Sequence, residues 1–166
     1  MRYALYFAPA PASSWWRFGS DWLGRDAASG AIVPQPVPAG IDADRFARLT
    51  AAPRHYGFHA TLKAPMRLVE GVDRAALVAA LRAFCADEQP FALPPLGVGQ
   101  LDDFLALVPL GDAGAIHALA ARTVERFDRF RAPLTQAELA RRLQKPLPAR
   151  ERDYLARWGY PLVFDA

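Results

Sequence analysis

Cysteine is almost missing from this chain of 166 residues, and so are the segments that direct a protein to a membrane or out of the cell. The single cysteine, Cys85, excludes an internal disulfide. This agrees with a reducing compartment, so we expect a cytoplasmic protein. No apolar run approaches the roughly 18 residues of a membrane span. Residues 1–8 also lack the charged start and the cleavage site of a signal peptide. We therefore expect no membrane partner.

Repeats, low-complexity tracts and a strong charge of either sign are also absent. The formal net charge is +3, which favours anionic ligands but is far from the dense basic character of a dedicated nucleic-acid binder. The apolar fraction of 52% and the charged fraction of 22% are ordinary for a globular protein. A chain of this length can bury a core as one domain or as two small intertwined lobes.

Strands and helices follow one another in mixed order along the chain, without regular alternation. Strand patterns cover 2–8 and the segment around His59. Residues 13–40 predict a short aromatic helix followed by a long irregular connection. Further helix patterns cover 42–50 with a cap at Asp42, 73–88, 112–130, a segment that a capping box of Thr135 and Glu138 opens, and 149–158 with a stop at Gly159. Hairpin-like pairs at 58–69, with a break at Pro65, and at 91–110 favour an α+β fold with antiparallel sheets over a doubly wound parallel sheet. Cys85 and His117 are predicted to be packed in the core. The apolar run 160–164 predicts the first half of a strand, so we expect an architecture that is incomplete at Ala166.

One segment, residues 54–65, carries most of the functional information. In an extended strand, alternate side chains point to opposite faces. Phe58, Ala60 and Leu62 then share the face that suits a core. His59, Thr61 and Lys63 share the other face. An imidazole can transfer protons near neutral pH, while a hydroxyl and a cation can hold an anion, so this face predicts phosphoester chemistry.

The same segment resembles a known family. Residues 56–65, Tyr-Gly-Phe-His-Ala-Thr-Leu-Lys-Ala-Pro, look like the first His-x-Thr motif of the 2H phosphoesterase superfamily. They are most similar to its DUF1045 branch, which is often encoded beside phosphonate-utilisation genes. Further blocks extend the resemblance over essentially the whole chain: 2–7, 22–26, 130–135, 138–142 and 157–161.

The resemblance implies a bilobal 2H phosphoesterase-like (2′-5′ RNA ligase-like) fold, formed by residues 1–166 as one domain of two intertwined lobes. In the superfamily each lobe contributes a His-x-Thr strand; one histidine is the general base, the other is the general acid, and both hydroxyls hold the phosphate without a metal or cofactor. This branch normally has its second motif, Phe-His-Met-Thr-Leu-Thr, soon after the Trp-Gly-Tyr-Pro block. The present chain ends first, so the resemblance implies a truncated second lobe and a poor catalyst unless the second motif is supplied.

We therefore predict His59 and Thr61 as catalytic residues and Arg54, Tyr56, Lys63 and Arg131 as substrate contacts. The predicted ligand is a small phosphate ester or a nucleotide-like molecule such as a cyclic phosphodiester; an RNA end is compatible with the pattern but is not indicated by it. A zinc pair of His55 and His59 is disfavoured because Gly57 opposes the helix that such a pair requires. Two alternatives stay open: a binding module that retains phosphate without turnover, and an interaction protein that dimerises through an exposed sheet edge.

Overall fold

The computed structural model describes residues 1–101 and 104–164, except for the side chain of Phe104, and has the predicted α+β architecture with two small antiparallel sheets flanked by helices. The strands are β1 Tyr3–Phe7, β2 Ala60–Met66, β3 Leu96–Leu101 and β4 Phe104–Pro109. The α-helices are α1 Ser14–Leu23, α2 Ala43–Leu49, α3 Ala51–Arg54, α4 Arg74–Asp87, α5 Gly114–Phe127, α6 Gln136–Arg142 and α7 Ala149–Trp158, and a 3₁₀ turn, Asp128–Phe130, follows α5. None of the helices within the described ranges has the length and apolar character that a membrane crossing requires.

Each sheet has two strands. β3 and β4 form the hairpin that the sequence predicted within 91–110, with Leu96 opposite Pro109 and Leu101 opposite Phe104; the connecting residues 102–103 lie outside the described ranges. The predicted hairpin over 58–69 is wrong. β2 pairs with β1 instead and continues through Pro65 to Met66. A proline has no backbone N–H to donate, so a strand tolerates it at a position where no partner strand needs that hydrogen bond.

Helix ends follow the local capping signals closely. The side chains of Asp42 and Asp73 accept hydrogen bonds from the backbone at the starts of α2 and α4. Thr135 and Glu138 form the predicted capping box at the start of α6. Gly159 ends α7 with a φ of 73°, in the left-handed region that glycine adopts without steric cost. Caps act within a few residues, which is why the sequence alone located those at Asp42, Thr135 and Gly159.

The chain divides into two compact units, and the division falls inside β1 and β2. Unit 1 comprises residues 1–5 and 62–166, and unit 2 comprises residues 6–61. The core of unit 1 consists of buried apolar side chains from β1, β2, α4, α5 and the 3₁₀ turn: Leu5, Met66, Leu77, Phe127 and Phe130. Phe127 is fully buried and packs edge-on against Phe84 of α4.

Unit 2 contains a long connection between α1 and α2 that is held by side-chain hydrogen bonds. Asp26 accepts from the Trp16 indole at 2.7 Å and from the Ser29 backbone at 2.7 Å. These bonds, the Ser29 bond first, lower the pKa of Asp26 from 3.8 to about 2. Further along, the Gln35 amide donates to the Trp22 carbonyl and to the Thr50 hydroxyl. An aspartate and a glutamine thus order a segment that has little regular structure.

Three further predictions are wrong: the burial of Cys85, the burial of His117, and the strand over 160–164. Cys85 is exposed, because it lies about 80° around α4 from Leu77, at the margin of the apolar stripe. His117 is also exposed, since burial on α5 is concentrated in its C-terminal half at Thr123, Val124 and Phe127. Residues 161–164 form turns rather than a strand; Asp165 and Ala166 lie outside the described ranges.

Candidate active site

His59 lies one residue before β2 and its side chain is half-buried. Its Nδ1 atom is 2.8 Å from the carbonyl oxygen of Gly57. A carbonyl oxygen can only accept a hydrogen bond, so Nδ1 must carry the proton. In the neutral ring the Nε2 atom is then the unprotonated nitrogen. This is the tautomer that a histidine needs in order to accept a proton at Nε2.

Gly57 has a conformation that other residues adopt with difficulty. Its φ is +79°, and a Cβ added here would lie 2.5 Å from the Cβ of Ala27. Both features require glycine, since a side chain would be strained by the backbone angle and would collide with Ala27. The position of the carbonyl that orients His59 therefore depends on a residue without a side chain.

Two tyrosines flank the imidazole. The ring of Tyr6, on β1, has its centroid 3.9 Å from that of His59, at an interplanar angle of 32°. Tyr56 is farther away, at 6.5 Å, and is 60% exposed. Burial, and then the charge of Tyr56, raise the pKa of Tyr6 above 10.0, so its phenol keeps its proton at neutral pH. Tyr6 thus covers one side of the ring with a neutral hydrogen-bonding group.

The other predicted residues of unit 2 have different surroundings. Thr61 is exposed, so its hydroxyl is open to solvent. Arg54 is half-buried; its Nε donates to the Leu23 carbonyl at 2.7 Å, and its Nη2 donates to the Gln35 side chain at 3.2 Å and to the Thr50 hydroxyl at 3.3 Å. These bonds tie α3 to the end of α1 and to the connection described above. They give Arg54 a structural role whether or not it also contacts a ligand.

Lys63 and Arg131 meet in unit 1, on either side of one carboxylate. The Lys63 side chain is only 4% exposed, and its ammonium donates to Asp128 and to the Val124 carbonyl, both at 3.1 Å. Arg131 donates to the same carboxylate through Nε at 2.7 Å and through Nη2 at 3.0 Å. The prediction that Lys63 shares an open face with His59 and Thr61, opposite a buried Ala60, is wrong about burial: Lys63 is buried and Ala60 is exposed.

The pKa values in this cluster reflect competition between burial and charge. Burial lowers the pKa of Lys63, and the carboxylate of Asp128 only partly offsets this effect. Burial would raise the pKa of Asp128, but hydrogen bonds and charges from Arg131 and Lys63 outweigh it and leave that pKa below the usual 3.8. The cluster therefore places the Asp128 carboxylate between the Lys63 side-chain nitrogen and the Arg131 guanidinium.

A second carboxylate of unit 1 is held by two arginines. Glu138 accepts from Arg2 at 2.5 Å, from Arg67 at 3.1 Å and from the Thr135 backbone at 2.9 Å. The Arg67 bond contributes most to lowering its pKa from 4.5 to about 2, followed by the Thr135 bond. The stabilisation from this carboxylate is complete above pH 4.5 and is lost as the pH falls towards 2, since the folded state resists the protonation that the unfolded state accepts.

We expect Glu138→Gln to flatten the acid limb of the stability profile. Glutamine can still accept the capping-box hydrogen bond, but it has no charge to lose. Urea unfolding between pH 7 and pH 2 should show a smaller loss of stability for the variant than for the wild type in the interval from about pH 4.5 to pH 2. The matched control is Glu125→Gln, because Glu125 is exposed and makes no ion pair among the described residues. Identical profiles for wild type and Glu138→Gln would contradict the assignment.

The structure adds residues to the site that the sequence did not indicate. Gly57 and Tyr6 contact His59, and Asp128 joins Lys63 to Arg131. The sequence does contain a signal for two of them. Tyr6 lies on the face of β1 opposite Leu5, and Gly57 lies between two aromatic residues, where a glycine indicates an unusual backbone conformation. Asp128 had none, because its role depends on contacts between residues 65 positions apart.

Two curated proteins are similar to nearly the whole chain, and both carry the name "Ribose 1,5-bisphosphate phosphokinase PhnN". The protein from Janthinobacterium sp. (strain Marseille) is 49% identical over 96% of this chain and 35% of its own length. The protein from Laribacter hongkongensis (strain HLHK9) is 41% identical over 99% of this chain and 38% of its own length. The chain thus spans little more than a third of the relatives that it matches. No solved structure matches it.

A family model described as "Protein of unknown function (DUF1045)" matches residues 61–166, which is more than half of the chain and includes Thr61, Lys63 and Arg131. The names of the relatives agree with the association of this branch with phosphonate genes. The chain belongs to the DUF1045 family.

Proposed function

We propose that this chain provides a histidine-based site that hydrolyses a small cyclic phosphodiester or a related phosphate ester in phosphonate metabolism, without a metal. The single observation that carries the proposal is the hydrogen bond from His59 Nδ1 to the Gly57 carbonyl. It leaves Nε2 as the proton acceptor on a half-buried ring. The membership of the DUF1045 family supports the same reading through the resemblance of its motif to that of the 2H superfamily.

In the proposed reaction His59 Nε2 removes a proton from a water molecule as its oxygen attacks phosphorus. The bond from phosphorus to one ester oxygen breaks, and that oxygen leaves with the electron pair and takes up a proton. The Thr61 hydroxyl donates a hydrogen bond to a non-bridging oxygen, where negative charge increases. The sequence contains one His-x-Thr motif, so the proposal assigns His59 as the base and assigns no residue as the acid.

The names of the two relatives bear on the ligand and not on the reaction. Both names refer to a phosphorylated ribose, which suggests that a small sugar phosphate is a suitable member of a substrate panel. A kinase reaction is not part of the proposal, since the 166 residues contain no G-x-x-x-x-G-K-S/T loop of the kind that binds the phosphates of a nucleoside triphosphate.

The test is a panel of cyclic phosphodiesters, including 2′,3′-cyclic nucleotides and cyclic ribose phosphates, incubated with the protein in the presence of a chelator. Product formation should continue without metal. Thr61→Val should lower turnover by about 10- to 100-fold, the usual effect of one hydrogen bond to a charged group, whereas Thr61→Ser should retain most of it. Equal turnover in the two variants would remove Thr61 from the mechanism.

A second candidate is a phosphate-binding module without turnover, and the presence of only one His-x-Thr motif favours it. It predicts binding of the same esters, weakened in His59→Ala, with no product from any of them. An interaction role instead predicts a dimer in sedimentation experiments at micromolar concentration, formed through a sheet edge. These three outcomes are distinct in a single set of binding, turnover and sedimentation measurements.

A further inference from the structure

A basic cleft lies within unit 1, near the end of β2. It has a volume of about 270 Å³, and six basic side chains and one acidic side chain line it. The basic ones are Arg2, Lys63, Arg67, Arg131, Arg141 and Arg142. The acidic one, Glu138, is already held by Arg2 and Arg67. The cleft therefore has an excess of positive charge that its own carboxylate does not neutralise.

Within the part of the chain that the structure describes, two of these cations have no anionic partner. The Arg141 guanidinium makes no hydrogen bond or ion pair there, and the Arg142 guanidinium lies over the ring of Tyr160, at 5.2 Å from its centroid. Both lie in the last turn of α6, where a positive charge also favours the helix end. That local effect explains basic residues on α6. It does not explain why basic residues from β2, from Arg2 and from the segment after α5 line the same space.

The remainder of the cleft is apolar and partly aromatic. Met66 and Val163 are buried beneath it, and Trp158 and Tyr160 are half-buried at its side. The guanidinium of Arg131 is itself fixed by Asp128 and by the Arg157 carbonyl. The fixed guanidinium of Arg131, the guanidinium groups of Arg141 and Arg142, and the apolar surface beside them together suit a ligand with a compact anionic group and a small organic body.

We propose that this cleft binds a phosphate monoester of a small organic molecule. A phosphate monoester carries nearly two negative charges at neutral pH and three acceptor oxygens, which matches several guanidinium groups better than a carboxylate does. Arg141 and Arg142 bind the phosphate, and the organic group lies against Met66 and Trp158. All the residues that line this cleft belong to unit 1, and the inference does not rest on the hydrolysis proposed above.

Calorimetric titration with phenyl phosphate tests this proposal, since that probe combines the dianion with an apolar ring. We expect a dissociation constant below about 1 mM, at least tenfold weaker binding of benzoate, no measurable binding of phenol, and weakening as salt is added. Arg141→Ala and Arg142→Ala should each weaken binding by about tenfold.

The matched control is Arg82→Ala, because Arg82 is an exposed arginine of α4 in the same unit and does not line the cleft. It should leave the affinity for phenyl phosphate unchanged. Circular dichroism of each variant separates lost binding from lost folding. Three results would overturn the proposal: no binding of phenyl phosphate at millimolar concentration, equal binding of phenyl phosphate and benzoate, or an equal effect of Arg82→Ala and Arg141→Ala in folded proteins.

Discussion

Replacement of His59 by asparagine is expected to lower the turnover of a cyclic phosphodiester by about 10²–10⁴-fold, the usual contribution of a general acid or base. The asparagine amide nitrogen can take the place of Nδ1 and donate to the Gly57 carbonyl, so the local fold should persist. No group replaces Nε2, and the proton acceptor is lost. The measurement is the rate at saturating substrate, followed across pH 5 to 9.

The comparison with glutamine makes the test more specific. Glutamine reaches the region of Nε2 but cannot also satisfy the Gly57 carbonyl, so His59→Gln should lose activity and also loosen the segment before β2. Nitrogen NMR of the wild type provides a readout that does not depend on activity, since Nδ1 should carry the proton in the neutral ring. Turnover unchanged in His59→Asn, or a neutral ring protonated at Nε2, would refute the assignment of His59 as the base.

Removal of the Asp128 carboxylate is expected to destabilise the protein by about 3 kcal/mol, because it leaves the buried ammonium of Lys63 without a counter-charge. Arg131 would also lose two hydrogen bonds. Lys63→Met should cost much less, about 1 kcal/mol or below, since methionine keeps most of the buried stem and Asp128 remains paired with Arg131. The measurement is the free energy of unfolding in urea for Asp128→Ala and Lys63→Met.

The same pair of variants separates a structural role of Lys63 from the predicted contact with substrate. A purely structural lysine predicts that Lys63→Met folds and retains turnover. A lysine that binds phosphate predicts a stable Lys63→Met protein with weakened substrate binding. If Lys63→Met lowers the free energy of unfolding as much as Asp128→Ala does, the Lys63 ammonium itself stabilises the fold. The explanation by an uncompensated buried charge is then wrong.

What the sequence predicted depended on short-range signals. Asp42, Thr135 and Gly159 act within one turn of a helix, and all three have the predicted positions at the starts of α2 and α6 and at the end of α7. The hairpin of β3 and β4 is also local. Predictions failed where a distant segment decides the surroundings. β2 pairs with β1, more than 50 positions earlier, rather than with the residues that follow it.

The candidate site shows the same limit. The motif pattern placed His59 and Thr61 two positions apart in the chain, and the structure leaves both at least partly accessible. The alternation of strand faces failed at Lys63, because an ammonium can be buried when a carboxylate from another element meets it. No pattern within residues 54–65 contains that carboxylate. Likewise, the six basic residues of the cleft come from segments up to 140 positions apart.

The exposed Cys85 has a practical consequence. It is the only thiol in the sequence, it is exposed on α4, and it does not line the basic cleft. A maleimide dye or a nitroxide can therefore be attached at one defined point of the native polypeptide, without mutagenesis. Fluorescence anisotropy or electron paramagnetic resonance could then follow ligand titrations and unfolding in the same labelled sample.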